Sequence, residues 1–362
     1  MEETTIDYII VGAGIAGTSL ALELHKRNQK LLIVDEFKKN TSSRVAAGML
    51  SPIVPRNVQK TWKCFDIFPN VYDYYREWED TLNEKFIYQI PGLQIHKNSS
   101  HTKNWRKRSR ERGFDILLKD IPREENIYPL KMPFGGSLNL LSGRLDVQNF
   151  MNSAHLFLKS KGQIFKNEAC NYNQVIEQPN YVNYQNYKAK GVIFCEGYGV
   201  RKNPWYSIIP LNPSSGDLFT YEIKDLDPSY IYKMKEWIIP LGGDKWLAGS
   251  TYHFENDDET IYNEDAEKML KQFKEWVKQP IKIIDHKKGV RPTVHGRRPF
   301  LGSRKDHPRL FVYNGLGSKG SSLVSFFSPQ YAEHLTEGIE IIEEVDINRL
   351  FKSESEHTYQ EN

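Results

Sequence analysis

Apolar residues follow two rhythms along this chain. The short run Tyr8–Val11 leads into Gly12 and a helical pattern that ends near Arg27, and a second run, Leu31–Val34, follows it. Strand, tight turn, helix and strand are the elements such a pattern predicts. Residues Thr61–Leu82 read as an aromatic-rich helix, and Phe86–His96 as a strand pair broken at Pro91-Gly92. A strand and turn follow Gly136, and Asp146 stands at an N-cap position before a helix over Val147–Lys161. Short strands are expected at Gln163–Lys166 and Tyr181–Tyr187, then a fully apolar one at Gly191–Cys195. From Ile208 to Tyr252 the chain is strand-rich, with turn signals at Pro213–Gly216, Asp227-Pro228 and Gly242-Gly243, as in an antiparallel sheet. A helix over Asn263–Val277 presents Ala266, Met269, Leu270, Phe273 and Val277 on one face. The strand Leu310–Tyr313, a glycine-rich turn and a helix ending near Glu337 complete the pattern.

The opening unit carries chemistry as well as structure. Gly12, Gly14 and Gly17 stand at G-x-G-x-x-G spacing between the first strand and its helix, and Asp35 closes the second strand. The first glycine permits the turn, the second lets a pyrophosphate reach the backbone, and the third lets helix and strand pack closely. Free N–H groups and the helix dipole then meet the phosphates. The acid accepts from ribose hydroxyls and repels a 2′-phosphate, which disfavours NADP. A glycine-rich turn alone is weak evidence, but here all five features occur in order, so the site is read as one for FAD or NAD. The run Gly191–Cys195 ends in Glu196-Gly197, as does a buried parallel strand that meets a cofactor at its carboxyl edge.

The nucleotide-binding pattern recurs at the start, middle and end of the chain, with strand-rich insertions between. The expected fold class is α/β, α+β overall: a Rossmann-like domain binding the dinucleotide, FAD or NAD, with a second, antiparallel-sheet substrate domain, both discontinuous. The first would comprise residues 1–84, 134–212 and 286–350, the second 85–133 and 213–285, with a disordered tail at 352–362.

Composition changes this picture little. With 362 residues and 39% hydrophobic content the chain can bury a sizeable core, and length alone suggests two domains. A net charge of +3 points to neither nucleic acid nor an anionic membrane. Three scattered cysteines, Cys64, Cys170 and Cys195, suit a reducing, cytoplasmic setting and no metal site. The uncharged run Tyr8–Leu22 follows Glu2, Glu3 and Asp7 and lacks the length to span a bilayer, so neither a signal peptide nor a membrane span is expected. Lys103–Arg112 holds six basic residues and one acid; with a single aromatic interleaved it reads as a solvated helix face before an RNA-facing patch.

Four blocks together resemble the D-amino-acid oxidase and glycine oxidase family of FAD-dependent oxidoreductases, over about residues 5–340: the N-terminal VGAGIAGTSLALEL with Asp35; SSRVAAGMLSP; VIFCEGYG, where the family usually has Ala-Thr-Gly or Ala-Ser-Gly; and GVRPTVHGRRPFLGS followed by LFVYNGLGSKGSSL. GLGSKG is also similar to the FAD domain of the bifunctional tRNA enzyme that makes 5-methylaminomethyl-2-thiouridine, a member of the same flavoprotein family. The resemblance implies FAD over NAD. It implies that Gly12, Gly14, Gly17 and Asp35 hold the ADP half, that Ser43, Arg44, Ala47, Gly48 and Met49 line the ribityl and flavin side, and that Gly197 lies beside the cofactor. Gly315, Gly317, Ser318, Lys319 and Gly320 would approach the flavin ring, where a lysine cation can stabilise reduced flavin. Cysteine is absent from this last block, from which some sarcosine oxidases attach flavin, so the FAD is expected to be non-covalent.

Arg291 matches the family arginine that grips a substrate carboxylate, a task suited to a planar guanidinium. Tyr232 falls where a glycine oxidase tyrosine contacts substrate, and a core tyrosine fits it equally well. Arg297 stands where the family often has Asp, which suits a larger anionic substrate. The implied activity is oxidation of the C–N bond of an amino acid or amine, with hydride transfer to flavin N5 and hydrolysis of the imine. The electron acceptor would be oxygen or a quinone. Two alternatives stand beside it: oxidation of a carboxymethylaminomethyl wobble uridine in tRNA, which is not favoured, and a non-catalytic flavin-binding subunit. Nothing in the sequence sets the amine or the oligomeric state.

Overall fold

A computed structural model describes residues 3–55, 57–121, 130–251, 253–254 and 263–351, so the tail expected at 352–362 lies outside the described residues. The chain forms two compact units, Met1–Ser43 with Met151–Pro213 and Arg291–Asn362, and Arg44–Phe150 with Ser214–Val290.

In the first unit a six-stranded sheet is built from β1 (Tyr8–Val11), β2 (Leu31–Asp35), β3 (Ile164–Asn167), β4 (Gly191–Phe194), β5 (Phe300–Arg304) and β6 (His307–Asn314), in the order β3-β2-β1-β4-β6-β5. All neighbours are parallel except β5 and β6. The strand order reverses beside β1, and ligands of such sheets lie beyond the strand carboxyl ends at that point. β1 and β4 are buried along their whole length, which is why they read as unbroken apolar runs instead of alternating ones. Ile9, Val11, Leu32, Val34, Val192 and Phe194 form the centre of this core. Helix α1 (Ile15–Lys26) follows β1, and α2 (Gly320–Glu337) follows β6.

The second unit is organised by a nine-stranded sheet. Its central path runs Ser214–Glu222, Lys245–Gly249, Trp237–Gly242, Ile231–Lys233, Gly92–Ile95, Gly136–Asn139 and Leu118–Ile121. Ile231–Lys233 pairs with Gly92–Ile95 in parallel, while the other pairs along this path are antiparallel. Alternation divides its two faces. Leu93, Ile95, Phe219, Tyr221, Tyr232 and Trp246 pack with Met269, Phe273 and Trp276, from the helix Asn263–Lys274 and the residues that follow it. Leu218, Ile231, Trp237 and Ile239 face the other way, against Met49 and Leu247.

Several expectations are corrected. Residues 44–84 and 134–150, assigned by sequence to the dinucleotide fold, belong to the second unit. Strand pairing explains this: Gly143–Leu145 pairs with both Met49–Leu50 and Ile87–Gln89, and Gly136–Asn139 pairs with Gly92–Ile95. The Phe86–His96 pair is therefore no hairpin, since its two strands enter different sheets. The aromatic helix at 61–82 is two helices, Cys64–Ile67 and Asn70–Leu82, divided at Phe68-Pro69, because proline cannot supply the N–H that a continuous helix requires. Asp146 does cap its helix, accepting from Asn149 N–H at 3.2 Å.

One buried hydroxyl of helix α2 reaches two strands of the sheet. Tyr331 Oη, fully buried, donates to Val312 O at 2.9 Å and accepts from Gly302 N–H at 3.0 Å. Tyr331→Phe strands a buried amide and a buried carbonyl, and is expected to lower the unfolding free energy by about 1–3 kcal/mol in a denaturant titration without changing the denaturant slope.

Candidate active site

Close packing aims the first helix. A Cβ on Gly17 would lie 1.9 Å from Gly12 O, so only glycine lets α1 sit this near β1. Gly12 itself has φ +101, and a Cβ there would lie 2.4 Å from Cys195 O, where the carboxyl ends of β1 and β4 meet. The first turn of α1 holds no acid, and Ile15 N–H donates to Ser43 Oγ at 3.1 Å. Asp35 Oδ2 accepts from Ala13 N–H at 2.7 Å, and Oδ1 from Phe37 N–H, which holds the half-buried carboxylate at the end of β2 beside the glycine turn.

The C-terminal glycine block joins this edge. The start of α2 adjoins the start of α1, since a Cβ on Gly320 would lie 3.2 Å from Ile15 Cγ2. Neither helix has an acid in its first turn, so two positive dipole ends lie together. Asn314 Nδ2 donates to Gly197 O at 3.0 Å, and Asn314 Oδ1 accepts from Gly315 N–H at 2.7 Å, which ties the ends of β4 and β6. The two residues that follow Arg291 lie at the same edge. Pro292 Cγ would be 3.8 Å from a Cβ on Gly197, and Thr293 Cα 3.6 Å from one on Gly317. Gly315 is buried, Lys319 is the half-buried N-cap of α2, and Ser318 is exposed. Glycines without room for side chains, paired helix N-termini and a carboxylate at the strand end suit FAD, with pyrophosphate on the helices and ribose on Asp35.

In the second unit, Arg44 O accepts from Gln148 Nε2, and Gly48 packs on Leu145, where a Cβ would lie 1.8 Å from its carbonyl oxygen. Met49 lines a cavity of water-molecule size together with Gln94, Trp105, Asn139, Ile231 and Lys233. Tyr232 does not reach it. Fully buried, it points to the helix-covered face, and its hydroxyl donates to Asp227 O at 2.7 Å. Strand alternation sends Ile231 and Lys233 to the cavity and Tyr232 away from it. Gln94, Asn139 and Lys233 were missed by sequence reasoning, because a polar residue within an alternating strand reads the same whether it faces solvent or a cavity. The basic segment lies on the helix Ser99–Ser109 as far as Ser109 and on the turn that follows; the helix buries Thr102 and Trp105, and two of the bases are paired, Arg106 with Asp120 and Arg108 with Glu111.

Glu196, beside Gly197, stands where the family that the sequence resembles usually has Thr or Ser. Its Oε1 accepts from Tyr172 Oη at 2.5 Å and its Oε2 from Asn203 Nδ2 at 2.8 Å. Burial raises its pKa above the ordinary glutamate value, against the lowering effect of those two hydrogen bonds. The native state therefore holds this proton at pH values where the unfolded chain has lost it, and stability falls as pH rises above the unfolded pKa until the native group also ionises. Glu196→Gln is expected to remove this component: the stability of the variant relative to wild type, measured by denaturant titration at fixed FAD excess, increases from pH 4 upward and then levels. A second variant tests the cradle. Gly17→Ala is expected to cost about 1–3 kcal/mol of stability and to lower FAD retention on gel filtration, because α1 must move off β1.

Residues 7–326 match the family model described as FAD dependent oxidoreductase. An uncharacterized oxidoreductase, YurR, of Bacillus subtilis strain 168 is 20% identical over 90% of this chain and 94% of its own. The fold is shared with glycine oxidase from Geobacillus kaustophilus (TM-score 0.78, 17% identity, 93% of this chain and 96% of that one). It is also shared with iminodiacetate oxidase from Chelativorans sp. BNC1 (TM-score 0.75, 16% identity, 92% and 96%). Among the described residues no helix is long and apolar enough to cross a membrane. The match over most of the chain and the cradle at the ends of β1, β2, β4 and β6 lead to one assignment: the chain belongs to the family of FAD-dependent oxidoreductases.

Proposed function

We propose that this enzyme oxidises the C–N bond of a small amino acid. The observation that carries the reading is the position of Arg291, joined through Pro292 and Thr293 to Gly197 and Gly317 at the edge expected to hold the flavin. The oxidases with which the chain shares its fold are named for glycine and iminodiacetate, both amines beside a carboxylate. A guanidinium at that edge is suited to receive the carboxylate bidentately and so to fix the Cα–H of the substrate.

Bound FAD supplies a two-electron acceptor for the hydride of that C–H bond. The protein supplies position. Holding the C–H in reacting geometry contributes up to about 7–11 kcal/mol of barrier lowering, so no side-chain base is required once the amine is neutral. Lys319, at the start of α2, adds a cation to the two helix dipoles at the same edge and favours developing negative charge there. Loss of hydride from Cα of the neutral amine leaves an iminium ion, which water converts to a carbonyl compound and ammonium or a protonated amine. The electrons then pass to oxygen or a quinone.

The test is the visible spectrum of the FAD-loaded protein without oxygen, before and after glycine, sarcosine, proline and D-amino acids are added. Bleaching of the flavin band by one of them is expected; no bleaching by any amine contradicts the reading and favours a non-catalytic flavin subunit. With the substrate in hand, Arg291→Lys is expected to raise KM about tenfold to a hundredfold through loss of the bidentate pair. Tyr232→Phe is expected to leave KM within about twofold while lowering stability by about 1 kcal/mol, because its hydroxyl serves the core.

A further inference from the structure

Glu196 stands directly behind the phosphate turn. A Cβ on Gly12 would lie 3.3 Å from Glu196 N, and the carbonyl of the next residue, Gly197, accepts from Asn314 Nδ2 at 3.0 Å. The backbone of Glu196 thus joins the end of β4 to the ends of β1 and β6, beside the positive ends of α1 and α2. Its side chain turns inward to two neutral donors, Tyr172 Oη and Asn203 Nδ2. Among the described residues no lysine, arginine or histidine pairs with it, and Arg201 and Lys202 on the following turn are exposed.

The other titratable groups around this carboxyl leave it without a counter-charge. Tyr172 and Cys170 face it from the segment after β3, and Cys195 precedes it in the chain. Burial first, and then the charge of Glu196, raises the pKa of all three, that of Cys170 to about 12, so they stay neutral. Glu168, beyond Cys170, accepts from Gln185 Nε2 and adds only further negative charge. As an anion, Glu196 therefore has the two helix ends alone to offset it. A bound pyrophosphate takes that same positive potential and brings negative charge to it. Carboxylate and pyrophosphate oppose one another, and the protonated acid does not.

We infer that Glu196 couples FAD to a proton: binding of the cofactor draws a proton from solvent onto this carboxylate, and loss of that proton loosens the cofactor. Glu196 is in this sense a positioning residue of the cradle. The inference uses the first unit alone and is independent of the proposed amine oxidation. Linkage fixes the sign. The factor by which FAD tightens the proton on Glu196 is the factor by which the proton tightens FAD. Affinity is therefore greatest where Glu196 is protonated with and without FAD. It falls as pH rises between the pKa of the free protein and that of the loaded one, and levels above the second.

The test titrates the apoprotein with FAD, followed by flavin fluorescence, between about pH 5.5 and 8.5, a window above the ordinary glutamate range. FAD keeps its own charge throughout. The dissociation constant is expected to rise about tenfold across the window in the wild type, and to stay within about twofold for Glu196→Gln, which keeps the shape and cannot ionise. Calorimetry of FAD binding in phosphate and in Tris, which differ in ionisation enthalpy, is expected to show net proton uptake in the wild type and none in the variant. His155 is the control. Its Nε2 lies 2.8 Å from Thr18 Oγ1, which donates to Ala13 O in the same turn, so a protonated imidazole there would give a trend of the same sign. A pH dependence kept by Glu196→Gln and lost in His155→Gln assigns the proton to that histidine and overturns the inference. A wild-type dissociation constant that is flat with pH, without proton uptake, overturns it as well. Should Glu196→Gln fail to fold, Tyr172→Phe decides: it removes a hydrogen bond that lowers the pKa of Glu196, so the fall in affinity is expected to move to higher pH, and an unmoved profile rejects the role. No amine enters these measurements, so failure of the proposed oxidation leaves them intact.

Discussion

Everything at the candidate active site depends on how closely α1 approaches β1. Because Gly17 leaves no Cβ against Gly12 O, and Gly12 none against Cys195 O, the helix N-terminus and two strand ends converge where a pyrophosphate needs them. The start of α2 joins them over Ile15, so positive helix ends from opposite parts of the sequence serve one edge. Asp35 and Asn314 then fix the neighbouring strand ends by accepting and donating backbone hydrogen bonds. A cradle of this kind requires exact backbone packing more than any particular side chain. It is accordingly written in glycines.

That explains which parts were legible in the sequence. The Gly12–Gly17 spacing, Asp35, the apolar runs of β1, β2 and β4 and the final glycine block each encode a backbone requirement that few residue types meet, and a reader can recover them one by one. The second unit encodes its features differently. Whether Tyr232 or Lys233 faces the cavity depends on the parallel register of Ile231–Lys233 against Gly92–Ile95, a pairing between strands distant in sequence. A shift of one residue exchanges the two faces, and local pattern does not fix that register. The boundary error at 44–84 has the same origin, since Met49–Leu50 is drawn into the second unit by its pairing with Gly143–Leu145.

The first unit offers helix dipoles and a ribose acceptor, both suited to a dinucleotide. Glu196 is the unusual residue of the first unit. Its carboxylate is turned into the protein by Tyr172 and Asn203, and Asn203 in turn accepts from the backbone N–H groups of Trp205 and Tyr206, so this buried acid organises a loop next to the cofactor edge.

The proposed hydride transfer from the Cα of an amine to bound flavin is tested most directly by stopped-flow measurement of flavin reduction without oxygen, using the identified amino acid with hydrogen or deuterium at Cα. Reduction several-fold slower with deuterium is expected, with one carbonyl product released per flavin reduced. Reduction at equal rates with both isotopes, even at saturating substrate and with binding shown to be fast, would contradict it.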